Sequence, residues 1–489
     1  MNRRTFLQST ALAGLTAAGF GAKADAGTSR PNILWIMMDD CRPDALSCYG
    51  QPWARTPNMD RIAERGVRFE AAVTQCPICI PSRSSMKTSH YCHEFGLMSM
   101  GDPPVNPPYT YRKEAHFPDL LRSWTGVGMQ PTCMGKVHAF RPDWDVEDRP
   151  RFRTSDRRSE GGQYPPVNLT THGWQIGGTV EAHAGDTRTA LIGDGALEKL
   201  DAFAAAGKPF FLRVSFHAPH VPIEVPPEFM IDPESVKLPL PSQEELDSKP
   251  RFEREQLRVY SGTLDLTPEA IQIARGTYYG MVWQVDHEVG RILAKLDELG
   301  LRENTIIAIC SDHGLQLGEH GVHKKRSFYE QTILTPLVIA APGKLKPGTV
   351  VSDQVEMIDF IPTLMDLSGL EIPGDIRGRS LVPLMNGGDG GRAVTFSEID
   401  QSGSMYDELR KDSGRQVMAR TRDWKLIEFR DPRVLDPDGA LHDLKNDPGE
   451  TRNLFHDPAH QDTVAHLRRL LAAWEADTGY GAAPAPEGA

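Results

Sequence analysis

A chain of 489 residues is long enough for two domains, and 39% hydrophobic with 25% charged residues is an ordinary globular composition. A formal charge of −12 argues against a nucleic-acid binder, which would need a basic face. An anion could still be held, but only in a pocket where Lys, Arg and His converge.

Taken in order, the chain opens with a segment best set apart from the fold. Arg3-Arg4-Thr5-Phe6-Leu7 is basic, Ala11–Phe20 is apolar and small, and Ala22-Lys23-Ala24 or Ala24-Asp25-Ala26 offers a cleavage site, so residues 1–26 read as a signal peptide. The twin arginine resembles a bacterial Tat signal, which exports folded proteins; a plain Sec signal or an anchor is the alternative. The expectation is a periplasmic or secreted bacterial protein, with the Tat export machinery as a partner and no stable membrane span.

Asn32–Met38 is a continuous apolar run, as a strand buried on both faces should be, and it ends in Asp39-Asp40. Thr56-Pro57 predicts the start of a helix carrying Ile62 and Ala63 and stopped by Gly66. The stretch Cys76–His93 holds Cys79-Ile80-Pro81-Ser82-Arg83 followed by a run able to form a helix through Ser84–Thr88. Pro81 suits the first helical turn, which places Cys79 just outside a helix N-terminus, where an anion is favoured. By itself the stretch fits a redox or structural C-x-x-C pair, Cys76 with Cys79, equally well. The seven cysteines (41, 48, 76, 79, 92, 133 and 310) are sparse for a disulfide scaffold.

Phe210–Phe216, Thr305–Cys310 and Pro336–Ala341 are further strand candidates, and Pro268–Leu299 has Met281, Val285, Val289, Ile292, Leu293 and Leu296 at helical spacing. Strands alternating with helices predict an α/β domain on a largely parallel sheet over 27–388. From about Arg392 the pattern changes. Gln416–Thr421 and Trp424–Phe429 read as paired antiparallel strands, and Val464, Leu467, Leu470, Leu471 and Trp474 mark an amphipathic helix. A smaller α+β domain over 389–489 is expected, with its boundary in the Gly-rich Gly387–Gly391 and a disordered tail from Gly479.

Ligand groups of an open α/β sheet gather beyond the carboxyl ends of strands. Asp39-Asp40, Asp312-His313 and Phe216-His217-Ala218-Pro219-His220 all follow predicted strands. One acidic pair at a strand end is usually a turn or a cap; two, beside a nucleophile candidate, favour a site. Three carboxylates suit a hard divalent cation, Ca²⁺ first and Mg²⁺ next, while His313 tilts toward a transition metal. Gly135-Lys136-Val137-His138 alone reads as a strand end with polar tips. His217 stays unassigned, and Glu319, His320 and His323 are either substrate-reading or scaffold.

The segment Asn32–Glu450 resembles the type I sulfatases of the alkaline phosphatase superfamily. The likeness is carried by PNILWIMMDD, CIPSR, MGKVH, SFHAPH, SDHGLQLGEHG with KKRSFYE, WKLI and DPGETRNL, in that order. Ser89 and His90 depart from it, standing where the family usually has Gly and Arg. The resemblance implies an alkaline phosphatase-like fold: a large mixed, mostly parallel sheet flanked by helices. It implies metal binding by Asp39, Asp40, Asp312, His313 and the modified Cys79. It places Cys79, Arg83, Lys136, His138, His220 and Lys325 at catalytic positions, Lys325 being preferred over Lys324. Cys79 would be oxidised to formylglycine by a formylglycine-generating or sulfatase-maturing enzyme, and one hydroxyl of the aldehyde hydrate would attack sulfur. His138, or a neighbouring group, would deprotonate the other hydroxyl to release sulfate, and His220 with Lys325 would assist the leaving alcohol. The expected substrate is a sulfate ester of a carbohydrate or small organic molecule. A phosphonate monoester or phosphodiester hydrolase on the same scaffold is the alternative, and a non-catalytic sulfated-glycan binder a third.

Overall fold

In the computed structural model the described residues are 30–99, 120–137, 145–147, 167–168, 175–180, 182–250, 253–254, 267–400, 414–430 and 439–479. The signal segment, His138, much of 141–175 and 251–266, and the tail from 480 lie outside them.

The main sheet has eight strands: β1 (Asn32–Met38), β2 (Val67–Val73), β3 (Pro131–Gly135), β4 (Asp145–Glu147), β7 (Phe211–Ser215), β8 (Thr305–Ser311), β9 (Leu334–Ala340) and β10 (Thr349–Glu356). Their order is β10-β2-β9-β8-β1-β7-β3-β4. Only β9 runs against its neighbours; every other pairing in the sheet is parallel. The small strands β5 (Val167–Asn168) and β6 (Gln175–Gly177) form a separate antiparallel pair.

β1 lies between β7 and β8, and its alternation explains the unbroken apolar run. Leu34, Ile36 and Met38 face a cluster with Val282, Val285, Val289 and Ile292 of the long helix Pro268–Glu298. Ile33, Trp35 and Met37 face the opposite cluster with Trp124, Phe360 and Leu364. Helices cover both faces, so every side chain of the strand is buried. The long helix begins where Thr267 accepts a hydrogen bond from the Ala270 N–H, with Pro268 in its first turn.

The second sheet, in the order β11 (Thr395–Asp400), β12 (Arg415–Arg420), β13 (Trp424–Phe429) and β14 (Gly439–Asp443), is antiparallel throughout. Helix Gln461–Thr478 packs Val464, Leu467, Leu471 and Trp474 on Phe396, Val417 and Leu441. Lys425 joins this sheet to the catalytic side. Its fully buried ammonium donates to the Phe328 carbonyl at 2.8 Å and to Glu450 at 2.6 Å, and pairs with Glu330 at 2.8 Å. Arg420 grips the same Glu330 with two bonds of 2.9 and 2.8 Å. Burial would push the Glu330 carboxyl up, but Arg420 and Lys425 hold it well below its ordinary range. Lys425→Met should therefore cost about 3–5 kcal/mol, the penalty for leaving buried carboxylates without their partner. Urea denaturation checks it, and an unchanged midpoint would mean the cluster does not hold the two sheets together.

Candidate active site

Cys79 is the first residue of helix Cys79–Thr88, not the residue before it as the sequence suggests, and it is fully buried. Arg83 follows one turn later, so thiol and guanidinium share a helix face. The Ser82 hydroxyl donates to the Asp312 carbonyl at 2.6 Å and ties the helix start to the end of β8. At the other end Ser89 caps the helix with φ 56°. That left-handed conformation favours glycine, the residue the resemblance leads one to expect there. Here the serine hydroxyl bonds the Ile358 carbonyl at 2.8 Å, while the His90 ring meets the Thr88 and Asp375 carbonyls at 2.8 and 3.0 Å. Both departures from the pattern are thus built into the turn.

The strand ends converge on Cys79. Asp40 follows β1 with φ 64°, and this turn directs two adjacent carboxylates to different partners. Asp39 meets Arg83 at 2.9 Å and the Lys136 ammonium, while Asp40 meets Lys325 at 2.7 Å and faces His220 at 4.0 Å. Arg83 also binds Asp312 at 2.6 Å. Lys325 reaches Cys79 Sγ at 2.9 Å, and His313 Nε2 and Asp39 each lie 3.4 Å from the same sulfur. Lys136 extends from β3 beyond Gly135, whose φ of 97° needs glycine; a Cβ there would come within 2.2 Å of the Ser215 carbonyl oxygen.

Electrostatics favour an anion at position 79. Burial and Asp39 push the thiol up, but Lys325, Lys136 and His313 more than offset them and leave it well below its ordinary range. Burial likewise opposes ionisation of Asp39, yet Lys136 and Arg83 hold its carboxyl far down, whereas burial wins at Asp40 and raises it. Against burial, Asp312 lifts the His313 imidazole to about 9.

Of the residues singled out in the sequence, Asp39, Asp40, Cys79, Arg83, Lys136, His220, Asp312, His313 and Lys325 come together. His138 lies outside the described residues. Lys325, not Lys324, touches Cys79. Glu319 proves to be scaffold: it bonds Arg42 and the Leu317 N–H, both at 2.6 Å. His320 bonds Glu245 at 2.7 Å. His217 lies 3.3 Å from Arg188. Cys76 belongs to an apolar group with Cys92 and Phe95, so the C-x-x-C reading finds no disulfide here.

Two contributors escaped the sequence reading. The Tyr278 hydroxyl donates to the Asp40 carbonyl at 2.6 Å and fixes that turn, and Ser215 Oγ accepts from Arg83 at 3.2 Å. Ser215 closes a strand that was recognised, so its position was available. Tyr278 is one buried tyrosine within a long helix and carries no local signal.

Lys136, Lys325 and Arg83 gathered around one buried cysteine, at the carboxyl ends of a mixed α/β sheet, make a pocket suited to an anionic group. A family model described as Sulfatase matches residues 31–370, and one described as N-sulphoglucosamine sulphohydrolase, C-terminal, matches 318–477. The chain belongs to the sulfatase family and is a sulfuric ester hydrolase. An arylsulfatase of Clostridium perfringens is 27% identical over 475 residues, covering 90% of this chain and 94% of the relative. An N-acetylglucosamine-6-O-sulfatase of Bacteroides thetaiotaomicron is 27% identical over 523 residues, covering 94% and 89%. Among solved structures, a phosphonate monoester hydrolase from Silicibacter pomeroyi superposes with a TM-score of 0.78 at 26% identity, covering 92% of this chain and 96% of that one.

Proposed function

We propose that this protein hydrolyses a sulfate ester of a carbohydrate, using formylglycine made from Cys79 and a divalent cation, Ca²⁺ by preference. The observation that carries the reading is the convergence of Lys325, Lys136 and Arg83 on the surroundings of Cys79 Sγ. The sugar assignment is supported by the N-acetylglucosamine-6-O-sulfatase relative.

The residues present fit a cation. Ligand atoms of Asp39, Cys79, Asp312 and His313 lie within 4.8 Å of one another, as do those of Asp39, Asp40, Cys79 and His220. His313 Nδ1 is engaged by the Gly314 carbonyl at 3.0 Å, which turns Nε2 toward the cluster, as ligating histidines are commonly oriented. When bound, the cation polarises the sulfuryl oxygens. Formylglycine at position 79 would supply the nucleophilic hydroxyl and a carbonyl through which sulfate could leave. The chain's own residues do the rest. Lys136 and Arg83 hold Asp39 ionised, and Arg83 keeps Asp312 in place. Lys136 and Lys325 set positive charge where negative charge develops. His220, with Nδ1 bonded to the Val221 carbonyl at 2.7 Å, presents Nε2 on the more open side, where a leaving alcohol can take a proton.

The phosphonate monoester hydrolase neighbour keeps a second reading open. Matched assays on a sulfate ester and a methylphosphonate monoester of 4-nitrophenol, together with a panel of sulfated sugars, separate the two. Preference for sulfate is expected, and a higher kcat/KM on the phosphonate would overturn it. We also propose Tat-dependent export to the periplasm or beyond, supported by Arg3-Arg4 and the apolar stretch after it. Among the described residues no helix is long and apolar enough to cross a membrane.

A further inference from the structure

Strand β7 carries a charge where the apolar run around it predicts a core side chain. Arg213 sits mid-strand, in register with Trp35 of β1 and Cys133 of β3. It is 2% exposed, and its guanidinium lies 4.5 Å over the Trp35 ring. A buried guanidinium needs acceptors. Arg213 Nη2 donates to the Lys136 carbonyl at 3.4 Å and to Ser215 Oγ at 3.3 Å, and lies 3.1 Å from Met37 Sδ. Those two oxygens also receive Nη1 of Arg83, at 3.2 Å each.

Two guanidinium groups therefore share one pair of acceptors, with the carboxylates of Asp39 and Asp312 on the far side of Arg83. Burial, with a smaller contribution from the Arg83 charge, lowers the Arg213 pKa to about 10, so the group is still charged at neutral pH. An apolar side chain would fill a strand interior without the desolvation cost of a charge beside another charge. Core packing alone does not explain the arginine.

We propose that Arg213 is a positioning residue for the sulfatase reaction: its charge lies behind Arg83 and Lys136, raises the positive potential that the sulfuryl group meets, and holds the end of β3 from which Lys136 reaches forward. The inference rests on the sulfatase reading above.

The test compares full-length mature protein with Arg213→Gln, which keeps a hydrogen-bond donor and drops the charge, and Arg213→Lys, which keeps the charge. The readouts are kcat and KM on 4-nitrophenyl sulfate, the affinity for inorganic sulfate by titration calorimetry, and the thermal midpoint. Arg213→Gln is expected to weaken sulfate binding and lower kcat by about tenfold each, the scale of one partly screened charge interaction at this range. Arg213→Lys should keep both within about threefold of the parent. A Gln variant that binds sulfate like the parent, or a Lys variant as impaired as Gln, overturns the inference. So does failure of either variant to fold, since that assigns Arg213 to the core. A parent protein that turns over no sulfate ester would sink the sulfatase reading instead. The calorimetric comparison of Gln with Lys would still decide whether the Arg213 charge serves the anion site.

Discussion

Replacing Cys79 with serine, in a host unable to convert serine, is expected to lower sulfate-ester turnover by at least about three orders of magnitude, as loss of a covalent nucleophile does. A serine has one hydroxyl. It can take the sulfuryl group but has no second hydroxyl with which to re-form a carbonyl and expel it. Stability should barely change, because the side chain is nearly isosteric and the residue is already encased. The companion measurement is mass spectrometry of the peptide spanning Cys79 in active parent protein, which should show an aldehyde in place of the thiol. The thiol itself is fully buried, so a maturing enzyme must reach it before the chain has folded. Preparations should thus divide into converted and unconverted fractions fixed at synthesis, with activity tracking the converted fraction. Undiminished turnover by a free Cys79 thiol would transfer the nucleophile's role elsewhere while leaving the fold untouched.

Chelation should remove activity by at least about a hundredfold and lower stability together. Asp39, Asp40 and Asp312 are set against Arg83, Lys136 and Lys325, so the three carboxylates and three basic groups roughly cancel. A cation in their midst supplies the surplus positive charge that an anionic ester needs. A site kept at 100 to 1,000 times its Kd contributes roughly 3–4 kcal/mol to folding stability, which chelation removes. Turnover assays and differential scanning calorimetry with and without chelator, followed by readdition of Ca²⁺ or Mg²⁺, measure the two effects. Full activity with no metal found by elemental analysis would overturn the ligand assignment.

The central strands β1, β7, β8 and β9 were legible because they are mostly apolar, while β2 and β10, which carry Arg68, Glu70 and Asp353, were not. β1 is apolar from Ile33 to Met38 and ends abruptly in two aspartates, so its functional end is written locally. The long helix is equally plain, since Met281, Val285, Val289, Ile292 and Leu296 recur at helical spacing and its start is marked by Thr267 and Pro268. Site residues that directly follow strands could be found the same way. Scaffold pairs that meet across the chain could not. Arg42 and Glu319 are 277 residues apart, and neither sequence neighbourhood betrays the pairing. Arg213 gave a usable clue, because a charge within a strand buried on both faces demands partners.

The loop that delivers Lys325 also has a consequence for how the molecule can be divided. Five residues after Lys325, Glu330 is gripped by Arg420 and Lys425, and its N–H bonds Glu450 at 2.7 Å. A chain cut within Gly387–Gly391 would retain every residue placed around Cys79, but its lysine would hang from a loop stripped of its moorings. The C-terminal sheet is thus a working part of the catalyst, and any attempt to graft, swap or shorten it is an edit to the active site.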